Sequence, residues 1–144
     1  MAAKKIHLRI ITPEKIKADE YVDMVIMRCI TGDLGVLPGH EPYSVVLDYG
    51  ALRILNSGIE RRIAVFGGFA EIRDNVLTIL TGSAEWPEDI DRALAEADRD
   101  RMQRHLLESQ IDTDIQRDQA LLRRSLVLIE VSSYPLISAP KPEE

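Results

Sequence analysis

The hydrophobic repeat of this 144-residue chain changes once, near Trp86 and Pro87, and the change divides what it can fold into. Before it, apolar and polar side chains alternate, the period of strands with one buried face; after it, apolar residues recur every three or four positions, the period of helices. In "KKIHLRIIT", Ile6, Leu8 and Ile10 alternate with His7 and Arg9, which puts His7 on the outward side. "YVDMVIMRCIT" reads as one strand, with Val22, Met24 and Ile26 on one face and Val25, Met27 and Cys29 on the other, so both faces are partly covered. "YSVVLDYG", "ALRILNSG", "RRIAVFGG", "AEIRD" and "VLTILTG" continue the pattern, punctuated by Ser57-Gly58, Gly67-Gly68 and Asp74-Asn75. Short strands so closely spaced predict antiparallel hairpins in an all-β sandwich or flattened barrel over residues 1–86.

Past Pro87, a helix is predicted from about residue 88 to 107. Glu88, Asp89 and Asp91 crowd its first turn and Arg101, Arg104 and His105 lie toward its end, the order a helix dipole favours. Its apolar face, Ile90, Ala93, Leu94 and Ala97, is narrow and rich in small residues. After the polar break "ESQIDTD", Ile115, Leu122, Leu126 and Ile129 form the stripe of a second helix, with Asp112 or Thr113 as its cap. The expected unit is an antiparallel α-helical hairpin over residues 87–133, followed by a flexible tail, 134–144, with three prolines. Each fully buried aliphatic side chain contributes only about 1.5–3 kcal/mol, so a face this thin costs little to detach.

Charge and composition remove several classes of function. A net charge of -6, with no dense Lys/Arg cluster, disfavours nucleic acid and anionic lipid as partners. Cys29 is the only cysteine and His7, His40 and His105 are scattered, so neither an internal disulfide nor a metal site is expected. No run approaches the ~18 apolar residues that cross a bilayer, so membrane association is expected only through a partner.

Among the candidate sites, His40 in "TGDLGVLPGHEP" reads either as a general base beside Asp33 or Glu41 or, as is usual for a scattered histidine, as a structural or surface residue. Cys29 sits in an apolar strand pattern and reads as an inert, buried side chain. Gly67-Gly68 precedes another strand, which fits a bulge or corner and not a phosphate loop, since a phosphate cradle opens a helix. Arg117, Arg123 and Arg124 stand out in an acidic chain, either as a solvated face or as contacts for an acidic protein. Trp86-Pro87 has the stiffness of a junction.

Three stretches resemble the epsilon subunits of F-type ATP synthases. "GDLGVLPGHEP" is similar to that family's G-x-x-G-x-L-P-G-H-x-P loop, "VFGGFAEIRDNVLTIL" resembles its glycine-pair hairpin, and "AEWPEDID" resembles its approach to the C-terminal helices. The resemblance spans roughly residues 4–131. It implies a non-catalytic central-stalk subunit on the cytoplasmic face of the bacterial plasma membrane, held peripherally through the complex. The sandwich would be gripped by the gamma subunit and rest on the c-ring, coupling ion-driven rotation to ATP synthesis. The hairpin would fold on the sandwich or extend toward the beta and alpha subunits, restraining ATP hydrolysis. On this resemblance Gly32, Asp33, Gly35, Leu37, Pro38, Gly39 and His40 form the ring-contact loop, and Arg117, Arg123 and Arg124 the regulatory helix face. Some relatives bind ATP through a first-helix motif resembling Ile/Leu-Asp-x-x-Arg-Ala. Here Leu94 replaces its arginine, Leu128 stands where a second-helix arginine is expected, and Arg92 lies about 200° around the helix. Only Asp91 and Arg124 remain of such a site, so ATP binding is expected to be weak or absent and no cofactor is expected. The alternative reading is a stand-alone sandwich that binds a small ligand.

Overall fold

The computed structural model describes residues 4–108 and 112–134, excepting the side chains of 112 and 113. Eight strands, β1 (Ile6–Ile11), β2 (Ile16–Val22), β3 (Met24–Cys29), β4 (Gly32–Val36), β5 (Tyr43–Asn56), β6 (Ile59–Arg73), β7 (Val76–Leu80) and β8 (Ala84–Glu85), precede two helices, α1 (Arg92–Glu108) and α2 (Asp112–Ser133). The strands run in the order β2-β1-β7-β6-β5-β3-β4, with β8 against β6. The expected sandwich with a helical pair behind it is the observed architecture. One pairing departs from the antiparallel pattern, because β1 and β7 run parallel.

The two longest strands make the sheet fold over. β5 and β6 pair from Tyr43↔Ile72 to Asn56↔Ile59 without a change of register, yet Asp48 and Gly67 are skipped between Leu47↔Gly68 and Tyr49↔Phe66. The inward positions shift by one at that point: Val45 and Leu47 face the core on one side of it, Leu52 and Ile54 on the other. On β6 the inward residues are likewise Ile63 and Val65, then Ala70 and Ile72. Gly67 and Gly68 make the turn-over with φ of 76° and 113°, a conformation closed to most L side chains. A sequence scan sees a broken alternation here and divides each long strand into two. One core fills the fold, drawing Ile6, Leu8, Ile10, Leu77 and Ile79 from one side and Val25, Met27, Leu52, Ile54 and Ile63 from the other.

The segment read as a single strand from Tyr21 to Thr31 is two. β2 pairs with β1 and β3 pairs with β5, so the chain crosses between the sandwich's two sides at Asp23. Asp23 holds the crossing: its carboxylate accepts the Ser57 amide at 2.7 Å and pairs with Lys5 at 3.0 Å, and its own amide donates to Leu55. Both tight hairpins expected from sequence form as two-residue turns with positive φ, Ser57-Gly58 at 53° and 77° and Asp74-Asn75 at 51° and 63°. Trp86 ends the sandwich by donating its indole N–H to Lys17 on β2, with Arg61 over its ring.

The helical pair also departs from expectation. Pro87–Asp89 is a 3-10 turn, and the first helix begins only at Arg92, so Glu88 and Asp89 lie ahead of it. Asp91 is its N-cap, accepting the Leu94 amide at 3.1 Å. The packed face of α1 runs through Ala95 and Met102, seven residues apart, while Ala93, Leu94 and Ala97 are exposed. On α2 the buried positions are Asp118, Ser125, Val127 and Val131, and the expected stripe residue Leu126 is exposed. Helix α2 faces two surfaces, α1 and the sheet, which a single stripe does not describe. The cap expected at Asp112 or Thr113, and the tail beyond Tyr134, lie outside the described residues.

A β-carbon at position 68 would stand 2.1 Å from the Leu80 carbonyl oxygen, with nowhere to move because its neighbours are backbone. Gly68→Ala is therefore expected to cost about 3 kcal/mol or more, read as a lower urea midpoint of the whole chain.

Candidate functional site

The first candidate region is the loop over residues 31–42. Its first half is not a loop: Gly32–Val36 is the edge strand β4, paired with β3 from Val25↔Val36 to Cys29↔Gly32. A β-carbon at Gly35 would come within 2.8 Å of the Met24 methyl group, a flexible end that would shift to admit it. Asp33 pairs across the strands with Arg28 at 3.6 Å. The second half is a fixed turn, in which the His40 amide donates to the Leu37 carbonyl and Gly39, at φ 79°, donates to the Asn75 side chain at 3.0 Å. Asn75 in turn donates to the Lys5 carbonyl, which ties the tip to the β6–β7 turn. His40 donates from Nδ1 to the adjacent Glu41 carbonyl at 2.7 Å, its ring near Tyr43. His40 and Asp33 thus have separate partners and form no acid–base dyad. What the loop presents is a rigid end with Leu37 54% exposed.

The second region is the seam where α2 lies on the sandwich. The outer face of the β5–β6 ribbon offers Tyr49, Ala51, Ala64 and Phe66, against which Val127, Leu128 and Val131 pack with Ile90 from the linker. This apolar contact is small, and charge surrounds it. Arg123 pairs with Asp48, Arg124 with Glu85 at 3.4 Å, and Glu130 with Arg62 at 3.6 Å. The same cations stack on rings: Arg124 lies 4.0 Å from the Phe66 centroid, Arg123 5.3 Å from that of Tyr49, and Arg62 4.0 Å from that of Tyr134. Burial pushes the Asp48 carboxyl up, but the Tyr49 amide and the Arg123 guanidinium outweigh it and hold the group below its ordinary 3.8. Tyr134 donates to Glu60, which raises the phenol and, with Arg53 and Arg62, overcomes burial to lower the carboxylate.

Of the sequence-predicted regulatory arginines, Arg123 and Arg124 are both at this seam and both matched by carboxylates of the sandwich; Arg117 lies nearer the helix start, beside Asp114 and Asp118. Asp91 and Arg124 are not ion-paired with one another, Asp91 being committed to the helix cap and Arg124 to Glu85 and Phe66. Sequence reasoning missed Asp48, Glu130 and Arg62, and grouped Glu85 with the carboxylates ahead of the first helix without placing it at the seam. Their one advance signal was Tyr49 and Phe66, apolar residues at outward-facing strand positions.

A third surface lies past the turn-over, where no helix covers β6 in the described structure. Val46, Phe69 and Leu80 are register partners on three adjacent strands, 40%, 63% and 51% exposed, and Ile30 adjoins them by donating its backbone N–H to the Val46 carbonyl at 3.1 Å. Val46, Phe69 and Leu80 border a shallow groove of about 330 Å³. Exposed apolar rows of this kind mark protein contacts.

The seam's charges make its strength tunable. Asp48→Asn with Glu85→Gln is expected to speed amide exchange in α2 roughly two- to tenfold, with β1 and β7 unchanged. Because the Asp48 carboxyl is lowered in the docked state, its stabilisation is complete at neutral pH. It is lost as pH falls below about 4, so the same exchange should accelerate on acidification.

The family model for the ATP synthase Delta/Epsilon chain beta-sandwich domain matches residues 5–87. The ATP synthase epsilon chain of Nitratidesulfovibrio vulgaris is 40% identical over 128 residues, covering 89% of this chain and 96% of its own. That of Bacillus subtilis is 43% identical over 112 residues, covering 78% and 85%. Among solved structures, a chain in the Euglena gracilis mitochondrial ATP synthase OSCP/F1/c-ring assembly superposes with a TM-score of 0.78 at 25% identity. The match covers 88% of this chain and 80% of that one. Likeness of this extent, through the sandwich and on into the helices, reflects common descent: the chain belongs to the family of ATP synthase epsilon chains.

Proposed function

We propose that the chain is the epsilon subunit of an F-type ATP synthase central stalk, a non-catalytic part that couples c-ring rotation to ATP synthesis and restrains hydrolysis through its helices. The observation that carries the regulatory half is the seam, a small apolar contact ringed by ion pairs that holds α2 on the sandwich; other acidic surfaces offer the same chemistry. Released from Asp48 and Glu85, Arg123 and Arg124 meet carboxylates of the beta and alpha subunits, with Arg117 already largely exposed. In this reading residues 1–86 serve the stalk and 87–133 regulate.

The coupling half draws on the two ends of the sandwich. Edge strand β4, with Gly32, Asp33 and Gly35, and the braced turn after it, with Leu37, Pro38, Gly39 and His40, face the polar loops of the c-ring, and a rigid tip transmits torque better than a mobile one. The apolar row Ile30, Val46, Phe69 and Leu80 suits the gamma subunit, since its partner must cover hydrocarbon. Assembly with these partners places the chain peripherally on the cytoplasmic face of the bacterial plasma membrane. A solved relative from a mitochondrial F1/c-ring assembly supports membership of such a complex. A stand-alone ligand-binding role is less well served, because the apolar groove is an open row on a sheet face and not an enclosed pocket.

ATP is expected to bind the hairpin weakly or not at all. Leu94, in the arginine's place, points to solvent, and Arg124 already has an anion and a ring. Calorimetric titration of the isolated chain should show no micromolar ATP affinity. Deleting residues 88–144 is expected to leave the complex assembled and coupled while changing its ATP hydrolysis rate, measured in membrane vesicles. Loss of coupling with hydrolysis control intact would overturn the division of roles. Replacing His40 by alanine should alter coupling or assembly and abolish no chemical step.

A further inference from the structure

The sandwich grips α2 at two places, and the two are built differently. Toward the middle of the helix Arg123 and Arg124 reach Asp48 and Glu85, but these pairs are open to water: the Arg123 side chain is 53% exposed and that of Asp48 32%. Ion pairs so wetted hold little. At the C-terminal end of the helix the β5–β6 ribbon offers something else. Arg53 and Arg62 face each other directly across the two strands, a like-charge pairing that weakens a sheet unless an anion divides it. Glu60 is that anion. It accepts Arg53 Nε on one carboxylate oxygen at 2.7 Å and Arg62 Nε on the other at 3.1 Å, with only 14% of its side chain exposed. All three residues belong to β5 and β6, so the triad needs no helix to assemble it, and its two cations outnumber its one anion.

Helix α2 brings what the triad lacks. Its last turn is closed by Ser132 and Ser133, whose hydroxyls both donate to the Ile129 carbonyl, and by the Tyr134 amide, which donates to the buried Val131. That turn sets Glu130 3.6 Å from Arg62 and lays the Tyr134 ring on the same guanidinium, 4.0 Å from its centroid, while the Tyr134 hydroxyl donates to Glu60. A guanidinium already fixed by a carboxylate gives up little freedom when a ring covers it. We propose that Arg53, Glu60 and Arg62 are a preformed receptor for the end of α2, and that Tyr134, with Glu130, is the latch that holds the docked helix. The hold is concentrated at this end, so the Arg123–Arg124 segment lifts from Asp48 and Glu85 while the Tyr134 end stays fastened. The latch is a property of the chain alone and stands apart from the assignment of its partners.

The test is amide hydrogen exchange of α2 in the full-length chain at neutral pH, with β1 and β7 amides as the internal reference. Tyr134→Leu should speed that exchange roughly ten- to thirtyfold, more than Asp48→Asn with Glu85→Gln does. Tyr134→Phe keeps the ring on Arg62 but loses the donation to Glu60, and should fall between Tyr134→Leu and the parent. In an Arg62→Gln background the ring has already lost its cation, so the effect of Tyr134→Leu should shrink at least about threefold. Exchange in Tyr134→Leu no faster than in the Asp48→Asn, Glu85→Gln chain overturns the proposal, as does an effect of Tyr134→Leu that is the same with and without Arg62. Tyr134 lies outside the sandwich core, so Tyr134→Leu leaves that core intact and the first comparison decides even if Arg62→Gln does not fold.

Discussion

Everything in this molecule depends on the β5–β6 ribbon turning over between Leu47 and Tyr49 without losing register. The turn-over lets one continuous hydrogen-bonded sheet close around a single core, and it also sets which outer surfaces exist. On one side of it the outward positions are Tyr49, Ala51, Ala64 and Phe66, which receive α2. On the other they are Val46 and Phe69, which remain open. Gly68 pressed against the Leu80 carbonyl is thus the point from which both the helix seat and the apolar row are oriented. A side chain there would disturb two functional surfaces through one backbone clash.

At the seam a small apolar contact and a ring of charges divide the work of holding α2. Apolar burial supplies a modest hold, because small residues and partly exposed rings make up much of the contact. The ion pairs around it add little net stability at a solvated surface, but they specify where α2 lies. Each arginine is matched twice, by a carboxylate and by the face of a ring, so the seat recognises guanidinium groups in fixed places.

The sandwich was legible where alternation was strong. β1 and β7 follow their residues closely, as do the two positive-φ turns. β2 escaped notice because "IKADEYV" buries only Ala18 and Val22 among charged neighbours, and β4 because "GDLGV" looks like a turn. Asp23, mid-strand by pattern, is in fact where the chain changes sides. The helices were legible as helices, but their faces were not: Leu94 and Leu126 are solvent-facing, while Ala95, Asp118 and Ser125 are buried. A helix wedged between a sheet and another helix has two seams, and small or polar residues are admitted where backbones approach closely. Arg123 and Arg124 drew attention by their charge in an acidic chain. Nothing local to them indicated Asp48 and Glu85, 75 and 39 residues away.

By itself, the sequence determined the period of each half, the junction at Trp86-Pro87, the turns that glycine and asparagine make, and the stretches that carry the family likeness. These are local properties, set by steric limits on single residues and by the spacing of apolar side chains. Tertiary structure alone decided which charges meet. Asp48 with Arg123 and Glu85 with Arg124 come together because the sheet folds over and α2 lies across it. Pairing at such separations is a consequence of packing, since no local interaction carries the direction in which a distant helix will dock.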